Sequence, residues 1–310
     1  MTSIKYISFQ TEQKLAVSEA NILCLGNFDG VHLAHRTLLR KAKKMQAEQL
    51  PHARVGVFCF EKPSTCFLSS NPPAQLTTLE QKLQYFADEG MDFAYIADFK
   101  ALQELSPEEF VNDILVSQCS CKAAVCGFNY RFGKGGKGTP ELLQSLLGKS
   151  FVTVQPAVEY NGTTVSSTRI RELLKQGKVK EANTLLTTPF SIVAFVEHGK
   201  GLGRHLGSPT FNQIQTEEMM IPAHGVYLTR CKIDGCSYYG LTNIGIRPTV
   251  DVDAKVNFET HLFNFDGDLY NKELCVEFLD YIRPEQRFEN TEALQKQIQQ
   301  DIKTAQELLK

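Results

Sequence analysis

The sequence predicts two folds in series, an α/β half built on a parallel sheet and then a β half that forms a small antiparallel barrel closed by a C-terminal helix. Three observations carry this. Strand and helix patterns alternate up to about residue 185, and from about Pro189 short β-rich runs follow one another between glycine or Asp-Gly signals. The chain also has 310 residues, whereas single cores rarely grow beyond ~250–300.

In the first half NILCLG (21–26) is a short apolar run ending in a glycine turn. A helical stretch from about Val31 to Gln49 follows, with Leu38, Leu39, Ala42 and Met45 on its apolar stripe. ARVGVFCF (53–60) reads as a buried strand and LEQKLQYFADEG (79–90) as a helix with a glycine stop. DFAYIADF is the next strand, SPEEFVNDIL a helix opened by Ser106 and Pro107, and KAAVCGF another strand. Such alternation argues for a parallel sheet covered on both faces, with ligands at the carboxyl ends of its strands. GNFDG and GFNYRFG both fall at such ends.

The helical stretch RIRELLKQGKVKEANTLL ends the first half, so the expected domains are 1–186 and 187–310. In the second half FSIVAFVEHG, GVYLTRCKI, SYYGLTNIGI, VNFETHLFNF and ELCVEFLDYI are strand-like. The closing helix carries Leu294, Ile298, Ile302 and Leu308 near one stripe.

The net charge of −2 argues against a polyanion-binding surface, so no nucleic-acid partner is expected. No run of ~18 apolar residues is present, so no membrane span is expected either. Nine cysteines, with no C-x-x-C pair and no apolar secretory core at the N-terminus, read as a reduced, cytoplasmic protein. Cys24, Cys59, Cys126, Cys231 and Cys275 sit in apolar runs and are expected in cores.

The stretch GNFDGVHLAHR (26–36) carries His32 and His35 three residues apart at the start of a helix. Free backbone N–H groups there suit a phosphate, and two imidazoles can donate to a phosphorus centre as charge builds. On this motif alone, a pair of partly exposed helix histidines is the simpler reading. VSSTRIRE (165–172) sets three hydroxyls before Arg169 and Arg171, which fits either a phosphate clamp or an ordinary capped helix. GFNYRFGKGGKGT (127–139) fails the P-loop pattern and reads as a flexible substrate loop, with Asn129 and Arg131 as its polar contacts.

HGKGLGRHLGSPTFN (198–212) is a glycine-rich strand-to-strand loop that can wrap phosphates as a backbone nest. In an extended PTFN segment Thr210 and Asn212 project to one face and Phe211 to the other. Glu259, in the partly apolar FETHLF, is either a structural ion-pair partner or a general base.

GNFDGVHLAHR, LTTLEQK, GFNYRFG and VSSTRIRELLKQGKVKEAN, in this order and spacing, resemble the bacterial bifunctional riboflavin kinase/FAD synthetase family. The likeness covers nearly the whole chain, and LTNIGIRPTV and NFETHLFNFDGDLY complete it. The resemblance implies a Rossmann-like nucleotidylyltransferase domain followed by a flavokinase-like barrel. It also implies ATP as substrate, Mg²⁺ as metal, and riboflavin, FMN and FAD as substrates and products. By it, His32 and His35 handle the ATP phosphates together with Asn27, Phe28, Asp29, Gly30, Asn129 and Arg131. Ser166, Ser167, Thr168, Arg169 and Arg171 form a second phosphate clamp. In the kinase half Gly201, Gly203, Arg204 and Gly207 wrap ATP phosphates, Thr210 and Asn212 hold Mg²⁺, and Glu259 is the general base. Phe60, Arg247 and Arg287 are the implied flavin contacts.

The chain departs from the family pattern at Ala34, where a glycine is usual, and in FEKPS (60–64), where a histidine is usual. Tyr130 stands for a phenylalanine, and Ser208 and Phe211 for a phenylalanine and an alanine. Ala34 predicts a slower or more selective adenylyl transfer. Two other readings stay open at this point, a riboflavin kinase with a weakened adenylyltransferase domain and a non-catalytic flavin- or nucleotide-binding regulator.

Overall fold

The structure, a computed structural model, describes residues 5–9, 20–197, 210–214, 218–246 and 256–310. It divides into two compact units, Met1–Ser167 and Thr168–Lys310.

The first unit holds β1 (Lys5–Phe9), β2 (Asn21–Leu25), β3 (Arg54–Phe60), β4 (Phe93–Ala97), β5 (Cys121–Gly127) and β6 (Val152–Gln155). They form one six-stranded sheet in the order β1-β4-β3-β2-β5-β6, and every pairing is parallel. β2 shows why its sequence is a continuous apolar run rather than an alternating one. Leu23 and Leu25 enter a core with Phe110, Val111, Ile114 and Leu115. Ile22 and Cys24 enter another with Leu38, Leu39, Ala42 and Met45 of α1 (Leu33–Gln49). A strand covered on both faces has no polar side to show.

Short helices α2 (Thr65–Leu68), α4 (Phe99–Leu102) and α5 (Pro107–Glu109) punctuate the connections, with α3 (Leu79–Asp88) between the first two and α6 (Pro140–Leu147) after β5. The helix expected from Ser106 does begin there, on a capping box between Ser106 and Glu109. It then widens into a π-helical stretch, Phe110–Gln118, and ends with Cys119 N–H on Ile114 O. β1 was not anticipated, since five residues of KYISF carry too little periodicity to separate from chance. A two-stranded hairpin, β7 (Glu159–Tyr160) and β8 (Thr163–Thr164), precedes α7 (Ser167–Lys175).

The second unit contains α8 (Val179–Leu186) and the strands β9 (Phe190–Glu197), β10 (Phe211–Ile214), β11 (Gly225–Ile233), β12 (Cys236–Ile246), β13 (Val256–Leu262) and β14 (Glu273–Arg283). They close a barrel in the order β10-β13-β12-β11-β14-β9. Asn183 ties α8 to it, donating from Nδ2 to Phe278 O and accepting Phe190 N–H, each at 2.7 Å. Inside the barrel the hydroxyls of Thr229, Thr242 and Thr260 form a chain with links of 2.9 and 2.8 Å, all three residues being fully buried.

Two packing expectations are corrected. α9 (Thr291–Leu308) buries Asp301 and Ala305 rather than Leu308, which is 46% exposed. The cause is Arg283, whose guanidinium grips the Asp301 carboxylate at 2.8–3.0 Å. Cys275 is exposed rather than in a core, because Leu274 and Val276 on either side take the inward positions on β14. The other four cysteines expected in cores are buried there.

The threonine chain predicts a stability cost. Thr242→Val removes the middle hydroxyl and leaves two buried groups short of a partner, at about 1–3 kcal/mol. The denaturant midpoint should fall accordingly, and an unchanged midpoint would show that the chain carries no weight.

Candidate active sites

At the carboxyl end of β2 the chain enters a left-handed turn. Phe28, Gly30 and Val31 have φ of 51°, 82° and 37°, conformations that suit Gly30 but strain a β-branched residue such as Val31. Strain of ~1–3 kcal/mol per residue persists only where surroundings over-determine the backbone. They do so here. Asp29 Oδ1 accepts Leu76 N–H at 2.9 Å, Gly30 N–H donates to Thr77 Oγ1 at 3.1 Å, and Val31 N–H donates to Phe28 O at 3.2 Å. The Phe28 ring is fully buried and meets Phe86 edge-on. Asp29 and Gly30, expected at the phosphates, thus spend these groups on the turn itself.

The turn ends on His32, the N-cap of α1, whose Nδ1 accepts His35 N–H at 3.4 Å. With Nδ1 an acceptor, a neutral His32 carries its proton on Nε2. The His32 and His35 rings stack with centroids 3.7 Å apart. His32 is buried and His35 half-buried, so only His35 is partly exposed as the motif alone suggests. His35 Nδ1 is buried without a hydrogen-bond partner. Burial first, then the neighbouring His32 and Lys82, hold the His35 pKa well below the ordinary imidazole value. His35 is therefore neutral.

Lys82, the last residue of LTTLEQK, is one to which the motifs assign no role. It is fully buried on α3 and donates from Nζ to Glu61 O at 3.0 Å. Its place four residues before Phe86, on the buried stripe of α3, is the signal that sequence offered.

The second hydroxyl-rich motif reaches the same turn. Ser167 Oγ donates to Asp29 O at 2.9 Å across 138 residues of sequence. Ser166 is half-buried beside it; Thr168, exposed, and Arg169 and Arg171, both half-buried, follow on α7 beyond the division between the units. Asn27 exchanges two 3.4 Å hydrogen bonds with Ser64 in the FEKPS connection. Phe60, at the end of β3, meets Phe99 edge-on, and Phe99 stacks on Phe67, which is 39% exposed.

The loop after β5 is pinned rather than flexible. Phe132 and Gly138 form a β-bridge, and Lys134 N–H donates to Leu105 O at 2.6 Å. Gly133 has φ of 68°, and a Cβ there would lie 2.7 Å from Pro107 N. Asn129 and Arg131 are exposed on it.

In the barrel, Asn212 stands opposite Glu259 in the β10–β13 register, and Thr210 Oγ1 donates to Glu259 Oε1 at 2.7 Å. Asn257 Nδ2 donates to Asn212 Oδ1 at 3.0 Å. These side chains point away from the barrel interior, which Phe258, Thr260 and Gln213 fill. Hydroxyl, amide and carboxylate oxygens are the donors that Mg²⁺ takes, and Asn257 Oδ1 is buried without a hydrogen-bond partner. The donor set fits the ion.

Thr210 also borders a cavity of about 620 Å³. Val196, Phe211, Leu262, Phe265, Leu269 and Tyr270 make its apolar wall, and Asp266 and Asp268 its polar rim. Phe211 thus points away from Asn212 as expected, yet lines this cavity. Arg287 is exposed between β14 and α9. Gly201, Gly203, Arg204, Gly207 and Arg247 lie outside the described residues.

The FAD synthetase family matches residues 14–169 and the riboflavin kinase family residues 186–309. A bifunctional riboflavin kinase/FMN adenylyltransferase of Pseudomonas fluorescens is 37% identical over 290 residues, 93% of this chain and 92% of that protein. Its counterpart from Escherichia coli K12 is 36% identical over 299 residues, 94% of each chain. A crystal structure from Streptococcus pneumoniae, described as a macrolide-efflux protein, superposes with a TM-score of 0.89 at 28% identity. It covers 98% of this chain and 99% of that one. In this chain no helix among the described residues is long and apolar enough to cross a membrane. With both halves matched in order and relatives aligned almost end to end, the chain belongs to the bifunctional riboflavin kinase/FMN adenylyltransferase family.

Proposed function

We propose how the two activities of the family are divided over this chain and which side chains serve each. Residues 1–186 carry FMN adenylyltransferase and residues 187–310 riboflavin kinase, a division supported by the kinase match beginning at residue 186. No disulfide joins any of the nine cysteines, which supports a reducing, cytoplasmic setting.

The Thr210–Glu259 hydrogen bond carries the kinase assignment. One carboxylate oxygen of Glu259 is held by Thr210, which orients the other to accept the proton of the ribityl 5′-hydroxyl. The hydroxyl oxygen then attacks the γ-phosphorus of ATP, and ADP leaves. Mg²⁺, when bound by Thr210 and Asn212, spreads the charge of the phosphates. The cavity beside Thr210 suits a planar heterocycle, and by the family resemblance Gly201, Gly203, Arg204 and Gly207 bind the ATP phosphates. Arg247 and Arg287 contact flavin.

In the first unit the Ser167–Asp29 contact carries the assignment, because it joins the two phosphate motifs. An FMN phosphate oxygen attacks the α-phosphorus of ATP, and pyrophosphate leaves. His32 donates from Nε2, and His35 offers its unpartnered nitrogen. Asn27, Asn129, Arg131, Ser166, Thr168, Arg169 and Arg171 contact nucleotide and phosphate, while Phe28, Asp29 and Gly30 shape the turn beneath them. The exposed face of the Phe60, Phe67 and Phe99 cluster offers the flavin ring a stacking surface.

Purified protein supplied with ATP and Mg²⁺, and with either riboflavin or FMN, tests the division when flavins are resolved chromatographically. Glu259→Ala should abolish FMN formation yet leave adenylylation of supplied FMN, and His32→Ala should do the reverse. Loss of both activities in either variant would overturn the two-site assignment.

Ala34 lies half-buried on the first turn of α1 between the histidines. Ala34→Gly should raise FAD synthesis or ATP affinity, at ~0.5–1 kcal/mol of helix stability. Unchanged kinetics would show the methyl to be harmless.

The neutral His35 makes stability depend on pH. Below about pH 6.5 the unfolded chain takes up a proton there that the folded chain resists, so stability falls as pH drops. Between about pH 7 and 5 the Tm of the wild type should fall more steeply than that of His35→Gln. Parallel slopes would show that His35 ionises normally.

A further inference from the structure

Asn257 has no part in the chemistry above, yet it is built into the kinase site. It lies two residues before Glu259 on β13, so the two side chains share a face. Asn212 stands opposite Glu259, and Asn257 opposite Ile214, which makes the two asparagines diagonal neighbours. Asn212 is 5% exposed and Asn257 8%. The Nδ2 of Asn257 donates to Asn212 Oδ1 at 3.0 Å, while its own Oδ1 is buried without a hydrogen-bond partner.

A purely structural amide pair would satisfy both of its ends, because a buried acceptor left open destabilises the fold. Here one end grips a candidate metal ligand and the other end waits for a donor. An amide oxygen carries two lone pairs, so accepting the bond from Asn257 is compatible with ligating a cation as well. Partners of this kind orient metal ligands in many sites, and their loss weakens metal binding.

We propose that Asn257 is the positioning residue for the divalent cation of the kinase site: its Nδ2 orients the Asn212 carbonyl oxygen, and its Oδ1 accepts a hydrogen from water bound to that cation. The inference rests on the assignment of Asn212 and Glu259 to the kinase site.

Mn²⁺ binding to the full chain, followed by electron paramagnetic resonance with ADP and riboflavin present, tests it. Asn212→Ala should remove one Mn²⁺ from the titration, which identifies the kinase-site ion. Asn257→Ala should weaken that same ion about 10–100-fold, with adenylylation of supplied FMN unchanged. The double variant should show the same Mn²⁺ stoichiometry as Asn212→Ala alone, because that substitution already removes the ion that Asn257 serves. If Asn212→Ala removes the ion while Asn257→Ala leaves its affinity within twofold, the inference is overturned and the kinase reading stands. If neither variant alters Mn²⁺ binding, the metal assignment itself fails and the inference with it. Should Asn257→Ala not fold, the isosteric Asn257→Asp keeps acceptor oxygens and deletes the donor. Its Mn²⁺ affinity should then follow the ionisation of the new carboxylate, and a pH profile matching the wild type overturns the proposal.

Discussion

The left-handed turn at residues 28–31 is the constraint on which the first unit's site depends. A parallel strand that ends in a helix must reverse its backbone within a few residues, and here Phe28 and Val31 take up conformations that neither side chain favours. What holds them is burial of both side chains together with hydrogen bonds from two separated stretches, one at Leu76 and Thr77 and the other at Ser167. The result sets His32 at the cap of α1, where its ring stacks on His35. Strain in the turn and order in the histidine pair are two sides of one arrangement, since a relaxed turn would point α1 elsewhere.

The barrel solves a different problem with the period of two of its strands. On β13, Phe258 and Thr260 fill the interior while Asn257 and Glu259 project outward. On β10, Gln213 faces inward and Asn212 outward, and the register sets Asn212 against Glu259. A slip of one residue would put the carboxylate in the barrel interior and take Phe258 out of it. The threonine chain across β11, β12 and β13 opposes such a slip, because its three hydroxyls meet only in this register.

Much of this was legible in the sequence because long apolar runs, glycine stops and local motifs are local signals. The parallel sheet and the closed barrel follow from them, whereas the Thr210–Glu259 hydrogen bond spans 49 residues and was not among them. What stayed hidden depends on contacts between distant residues. Lys82 looks like any surface lysine of an amphipathic helix until β3 delivers the Glu61 carbonyl to it. Nor does the sequence show that Asp29 Oδ1 and Gly30 N–H are engaged by Leu76 and Thr77. The stripe of α9 shifts because a buried Asp301 is worth more to Arg283 than an apolar contact at Leu308. The loop after β5 reads as flexible from its glycines, yet Gly133 is a packing glycine pressed on Pro107.

The FEKPS connection shows how a departure from family pattern can leave a site standing. The histidine usual in this segment is missing, but the segment is not left loose. Lys82 holds its start through the Glu61 carbonyl, and Asn27 holds its end through Ser64. Phe60, just before it, is braced by Phe58 and Phe99. These contacts come from β3, the turn and helices α3 and α4, so the backbone path past the site does not depend on the absent imidazole. What the departure changes is a side chain in this segment rather than the scaffold that presents the others. Ala34 is of the same kind: it sits on a helix whose placement is set by the turn before it, so its methyl bears on the space between the histidines and not on their position.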